Sequence, residues 1–215
     1  VPERLFPAER RASLGGDRVL KAIEMKRADP RMIITGSSRV VAGYDPSRPA
    51  LSGLGLYNAG LAGSGPLQTF PLVRWAAASL PRLERIILAN DFDLFFHPTA
   101  NIGNFDKSAF AGQPLVSGYL EHLFSYDAIA ESWTIARNAV RGRATAGAAN
   151  RDGSNPVTPT PPGRVLSRMA QEIEAGVELM RDARGLSDGA IARSRYDALK
   201  DALVEIRSRG VRVDL

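Results

Sequence analysis

Apolar and polar positions fall into a few short runs, and these predict the elements. Residues 1–16 are polar and Arg-rich, with Pro2, Pro7 and a Gly15-Gly16 pair, and read as an extended lead-in. Asp17 is a capping residue for a helix to about Ala28, where Asp29-Pro30 stops it. Met32–Thr35 is a short apolar run of the buried-strand type. Residues 43–53 hold Gly, Asp, Pro and Ser and read as a loop, and Leu54–Tyr57 is a second apolar run. Pro66 opens a helix to about Leu80, despite Pro71, and Pro81 closes it. "RIILAN", residues 85–90, is the clearest strand: apolar, β-branched and bounded by turn signals.

The second half is less regular. Residues 91–114 have no clean period and predict a long loop, and 119–140 read as helix. Residues 141–163 are rich in Gly, Ala, Asn, Thr and Pro and predict a flexible linker. Val165, Leu166, Met169, Ile173, Val177 and Met180 recur at helical spacing, as do Ile191, Tyr196, Leu199, Leu203 and Ile206. Such stripes are core faces rather than ligand boxes. Gly210 ends the last helix and "VRVDL" begins a strand.

Short apolar strands mixed with helices predict an α/β fold whose parallel sheet is covered on both faces. The expected organisation is one domain over 17–215, with a loop and helical insertion at about 91–163. A strand in the last residues predicts that the sheet continues past Leu215, so the domain is expected to be incomplete at its C-terminus.

Composition changes little. At 215 residues, 44% hydrophobic and 24% charged, the chain is of ordinary globular type. It contains no cysteine, which excludes disulfides, thiolate metal sites and a Cys nucleophile. No run of 18 apolar residues is present. The net charge of +5 rests almost wholly on Arg, since the only lysines are Lys21, Lys26, Lys107 and Lys200. Acidic residues are interspersed with the basic ones, so no sustained basic run points to nucleic acid.

The strand ends carry the candidate chemistry. Gly36-Ser37-Ser38 follows the first strand, "NAGLAGS" (58–64) the second, and Asn90-Asp91 the third. In a parallel sheet these carboxyl ends share one edge, where ligands bind. A serine on a tight post-strand turn can present its hydroxyl outward, and Gly36 permits the turn. Acyl transfer needs donors aimed at a developing oxyanion. The backbone N–H groups of Ser38 and Gly63 and the side-chain amide of Asn90 are candidates. Asp91 and Asp93 could orient a base, bind a cation or cap the following turn. Arg39 could meet an anionic substrate or pair with Asp45 or Asp91.

"IITGSSRV", "YNAGLAGS" and "IILAND" together resemble the first three blocks of the SGNH (GDSL-type) hydrolase superfamily. The resemblance covers about residues 30–96 and is nearest to a bacterial, membrane-anchored group associated with envelope and exopolysaccharide acylation. It implies a three-layer, flavodoxin-like parallel sheet. It also implies Ser38 as nucleophile, with Gly63 and Asn90 in the oxyanion hole and Arg39, Asn58 and Asp91 as substrate or supporting residues. The implied substrate is a carbohydrate or other envelope ester. The implied location is periplasmic or extracytoplasmic, through a membrane anchor outside this sequence. No cofactor, metal or nucleic acid is expected.

The departures are as specific as the matches. Ser37 stands where the superfamily has Asp, and Leu88-Ala89 stands where it has Gly-x before the asparagine. Its C-terminal Asp-x-x-His, which supplies acid and base, does not occur in this sequence. A serine hydroxyl is a poor nucleophile without a base. Of the two histidines, His97 follows the third strand on the proposed edge, where it reads as a loop residue beside Phe95 and Phe96. His122 lies mid-helix, and neither spacing suggests a metal site. The alternative is a catalytically inactive SGNH-like domain that binds a glycan or a partner. Phosphate or nucleotide binding ranks last, because "GLAGSG" is neither G-x-G-x-x-G nor a Walker A loop.

Overall fold

The computed structural model describes residues 10–11, 17–89, 104–124, 129–130, 133, 136–137, 141, 148–149 and 190–215. In chain order the elements are β1 (Arg10–Arg11), α1 (Asp17–Ala28), β2 (Met32–Gly36), α2 (Ser38–Gly43), β3 (Leu56–Asn58) and α3 (Pro66–Ser79). There follow β4 (Arg85–Ala89), α4 (Leu115–Leu123), β5 (Ala148–Ala149), α5 (Ala190–Ser208) and β6 (Arg212–Asp214). Short 3₁₀ turns occupy Ser52–Leu54, Phe105–Lys107 and Ala109–Ala111.

The fold is α/β, as the pattern predicted. Four strands form an all-parallel sheet in the order β3-β2-β4-β6. Strand alternation divides its faces. Tyr57, Ile33, Ile86 and Val213 lie in one row across it. That row packs against Ala22 and Met25 of α1, Phe70, Leu72, Val73 and Ala76 of α3, and Ala202 and Ile206 of α5. Phe105 and Phe110, from the 3₁₀ turns, join the same cluster, and Phe110 meets Trp75 edge-on with ring centroids 5.2 Å apart. The next row, Asn58, Ile34, Ile87 and Asp214, faces the other way. Ile34 is buried there, and Val40 and Val41 of α2 are likewise buried outside the main cluster.

This arrangement follows from handedness. The chain leaves β2 for β3 on one side through α2, and leaves β3 for β4, past β2, in the opposite direction through α3. Right-handed crossovers that run in opposite directions put their helices on opposite faces. The strand order therefore reverses between β2 and β4, and that is the crevice where open parallel sheets bind ligands. Gly36 and Ala89, the last residues of those strands, are paired in register.

Several boundaries differ from the sequence expectation. The second strand starts at Leu56 rather than Leu54, because Ser52–Leu54 wind into a 3₁₀ turn that Gly55 closes at φ +62°. α4 begins at Leu115 rather than 119. Ala148–Ala149, inside the expected linker, pair antiparallel with Arg10–Arg11 of the lead-in. The stripe from Val165 to Met180 lies outside the described residues.

Candidate active site

The turn after β2 treats its two serines differently. Ser37 is the N-cap of α2, with extended φ and ψ, and its hydroxyl accepts from the Arg39 N–H at 3.4 Å. Its carbonyl takes the N–H groups of Val40 and Val41 at 3.0 and 3.3 Å. Ser37 is buried, whereas Ser38, the first residue of the helix, is exposed. Serine and aspartate are comparable N-caps. Ser37 is therefore well suited to cap the helix that carries Ser38.

Two glycines let the backbones converge. A Cβ on Gly36 would stand 2.2 Å from the Ala89 carbonyl oxygen and 2.6 Å from Val40 Cγ2. A Cβ on Gly60 would stand 2.9 Å from both Val40 Cγ1 and the Val41 nitrogen. Both positions exclude any side chain. As a result the segment after β3 lies directly against the end of β2 and the start of α2.

Hydrogen bonds hold it there. The Ala59 N–H donates to the Ile34 carbonyl at 2.7 Å, and Thr35 Oγ1 donates to the Ala59 carbonyl at 3.1 Å. The Gly36 carbonyl, two residues before Ser38, accepts from the Leu61 N–H at 2.9 Å and from Ser64 Oγ at 3.1 Å. Asn58 is fully buried behind this turn. Its Nδ2 donates to the Val40 and Tyr44 carbonyls at 2.9 and 2.7 Å, and its Oδ1 accepts from the Gly60 N–H at 3.0 Å. Those bonds commit its amide to backbone, closing the C-terminal end of α2 onto the β3 loop. Gly63 sits in the exposed turn that follows, at φ +68°, a conformation that favours glycine.

A buried cation braces this loop from inside. Arg18 of α1 is 0% exposed. Its Nη2 donates to the Ala62 carbonyl at 2.8 Å, and Nη2 and Nε reach Gln68 Oε1 at 3.0 and 3.1 Å. Gln68 lies in the first turn of α3, where the Gln68 and Thr69 N–H groups close on the Gly65 carbonyl. Burying a guanidinium is costly unless its donors are satisfied, so its place behind this loop is a built feature. Sequence reasoning missed Arg18, although a signal existed: it occupies the same helical stripe as Ala22 and Met25.

Of the expected site residues, the fold brings Ser38 and the Gly63 turn to one sheet edge, with Asn58 beneath them. Arg39 is exposed on the first turn of α2. Asp45 accepts from the Ser47 N–H at 2.9 Å and from Ser47 Oγ at 2.5 Å, and these bonds hold its carboxyl below the usual range. Asn90, Asp91, Asp93 and His97 lie outside the described residues, as does the side chain of His122 on α4. Ala89, immediately before Asn90, is the register partner of Gly36. Among the described residues, no group of three or more His, Asp or Glu side chains is placed to hold a metal ion. Also among them, no helix is long and apolar enough to cross a membrane.

Comparison with protein-family models, with curated proteins and with solved structures gave no significant match in any of the three.

Proposed function

We propose that the chain is an SGNH-like esterase or O-acyltransferase domain with a three-layer, flavodoxin-like architecture, in which Ser38 is the nucleophile. The observation that carries this reading is the position of Ser38. It is exposed, on the first turn of α2, at the point where the strand order reverses. The Gly36 carbonyl ties its turn to the loop that holds Gly63. In the reaction Ser38 Oγ attacks an ester carbonyl, and its proton passes to a base. The Gly63 N–H and the Asn90 amide stabilise the oxyanion, the ester C–O bond breaks as the base returns its proton to the leaving alcohol, and water or an acceptor hydroxyl then takes the acyl group from Ser38. The substrate class is a carbohydrate or other cell-envelope ester, met on the extracytoplasmic side by a protein held through a membrane anchor.

The second reading is an inactive SGNH-like domain that binds a glycan or a partner. It is favoured by one sequence fact, that Ser37 stands in the first block where the superfamily has Asp. A fluorophosphonate probe separates the two. The esterase reading expects one phosphonyl adduct that disappears in Ser38→Ala. No adduct, together with retained binding of acylated polysaccharide, supports the second.

A further inference from the structure

The peptide that joins Ala62 to Gly63 has two ends with different roles. Its carbonyl points at Arg18 Nη2, 2.8 Å away. Its N–H belongs to Gly63, the candidate oxyanion donor. No described peptide is cis, and in a trans peptide the C=O and N–H point in opposite directions. The guanidinium that holds the carbonyl inward therefore turns the Gly63 N–H away from the protein interior, onto the exposed side of the turn. Among the described residues no acceptor takes that N–H.

This peptide needs a lock. Gly63 adopts φ +68° and is free of the steric limits that hold other residues, so rotation of the 62–63 peptide plane is cheap. A flip would carry the N–H inward and present a carbonyl to the oxyanion, the reverse of what acyl transfer requires. Arg18 opposes the flip with a charge-assisted bond from a fully buried side chain to the part-buried Ala62 carbonyl. Gln68 holds the guanidinium fork in place by two contacts with one oxygen. A cation on the carbonyl also polarises the peptide and makes its N–H a better donor.

We infer that Arg18 is a positioning residue for the oxyanion hole: it pins the Ala62–Gly63 peptide by its carbonyl so that the Gly63 N–H faces the reacting group. The inference rests on the reading of Ser38 as nucleophile. Arg18 acts through Gly63 and does not touch substrate.

The test measures phosphonylation of Ser38 by a fluorophosphonate, resolved into the binding constant KI and the maximal rate kinact. It compares wild type, Arg18→Met, Arg18→Lys and Arg18→Gln. Wild type that does not label at Ser38 overturns the nucleophile reading itself, whatever the Arg18 variants do. With wild type labelling, Arg18→Met is expected to lower kinact about tenfold or more with KI unchanged, a smaller loss than deleting a donor outright. Arg18→Lys, which keeps the cation but not the fork, is expected to recover part of that loss, and added guanidinium to restore part of the Arg18→Met rate. Loss of packing alone would not be reversed by the lysine variant or by guanidinium. Should Arg18→Met not fold, Arg18→Gln, neutral and of similar reach, takes its place with the same expectation. A folded neutral variant that labels at the wild-type rate overturns the inference. So does failure of both neutral variants to fold, which would assign Arg18 to stability alone.

Discussion

At Gly36 even a methyl group would collide with backbone, 2.2 Å from the Ala89 oxygen, and strand pairing leaves that oxygen no room to move. Gly36→Ala is therefore expected to cost about 3 kcal/mol or more, measured as the urea unfolding free energy, because overpacking against backbone exceeds the usual side-chain case. Asn58 makes a different kind of demand. Its amide satisfies two carbonyls and one N–H in a fully buried site. Asn58→Ala leaves those groups unpaired and is expected to cost about 2–4 kcal/mol in the same assay. Both residues were singled out from sequence, but for other reasons. Gly36 was expected to permit a turn, and its tighter constraint is the neighbouring strand. Asn58 was expected near substrate or in support, and its amide is committed to the Val40 and Tyr44 carbonyls and the Gly60 N–H. A side chain's partners depend on which strands become neighbours, and sequence spacing does not contain that.

Among the elements, β4 and β6 are joined across the sheet face that carries Ile87 by Arg85 and Asp214. Hydrogen bonding from Arg85, with its charge, holds the Asp214 carboxyl below its usual value. A carboxyl depressed in the fold contributes stability that is fully present above its ordinary value and is lost as pH falls through the depressed one. Urea midpoints measured from pH 7 downward are expected to decline below the ordinary carboxylate range. Asp214→Asn is expected to make that decline shallower by a small amount, since the pair is half exposed. Glu84, held low by Arg31, contributes in the same direction and remains in the variant. The pattern made most of these elements legible. β2, β4, α1, α3 and α5 stand close to where their apolar periods put them. α2 was not foreseen, because its six residues are too few for a period and its signal was only the Ser37 cap. The second strand was displaced because Leu54 is apolar yet 45% exposed, so an apolar run misled where burial decides.

For the whole molecule, the sequence pattern sufficed for a parallel α/β sheet but not for the order of its strands. That order depends on crossover handedness and on which helix covers which face. It is the order β3-β2-β4-β6 that puts the end of β2 beside the end of β4 and makes Ser38 a central residue of one edge. The Arg18 brace was hidden for the same reason, since α1 and the Ala62 turn are 44 residues apart. The account's central claim is that this edge presents a reactive serine, and adduct mapping tests it most directly. The protein is treated with a fluorophosphonate, digested and sequenced by tandem mass spectrometry, with Ser38→Ala in parallel. The account predicts one adduct, on Ser38 and not on the buried Ser37, that is absent from the variant. An unmodified Ser38 under conditions that label a serine esterase control, or an adduct that persists in Ser38→Ala, would contradict it.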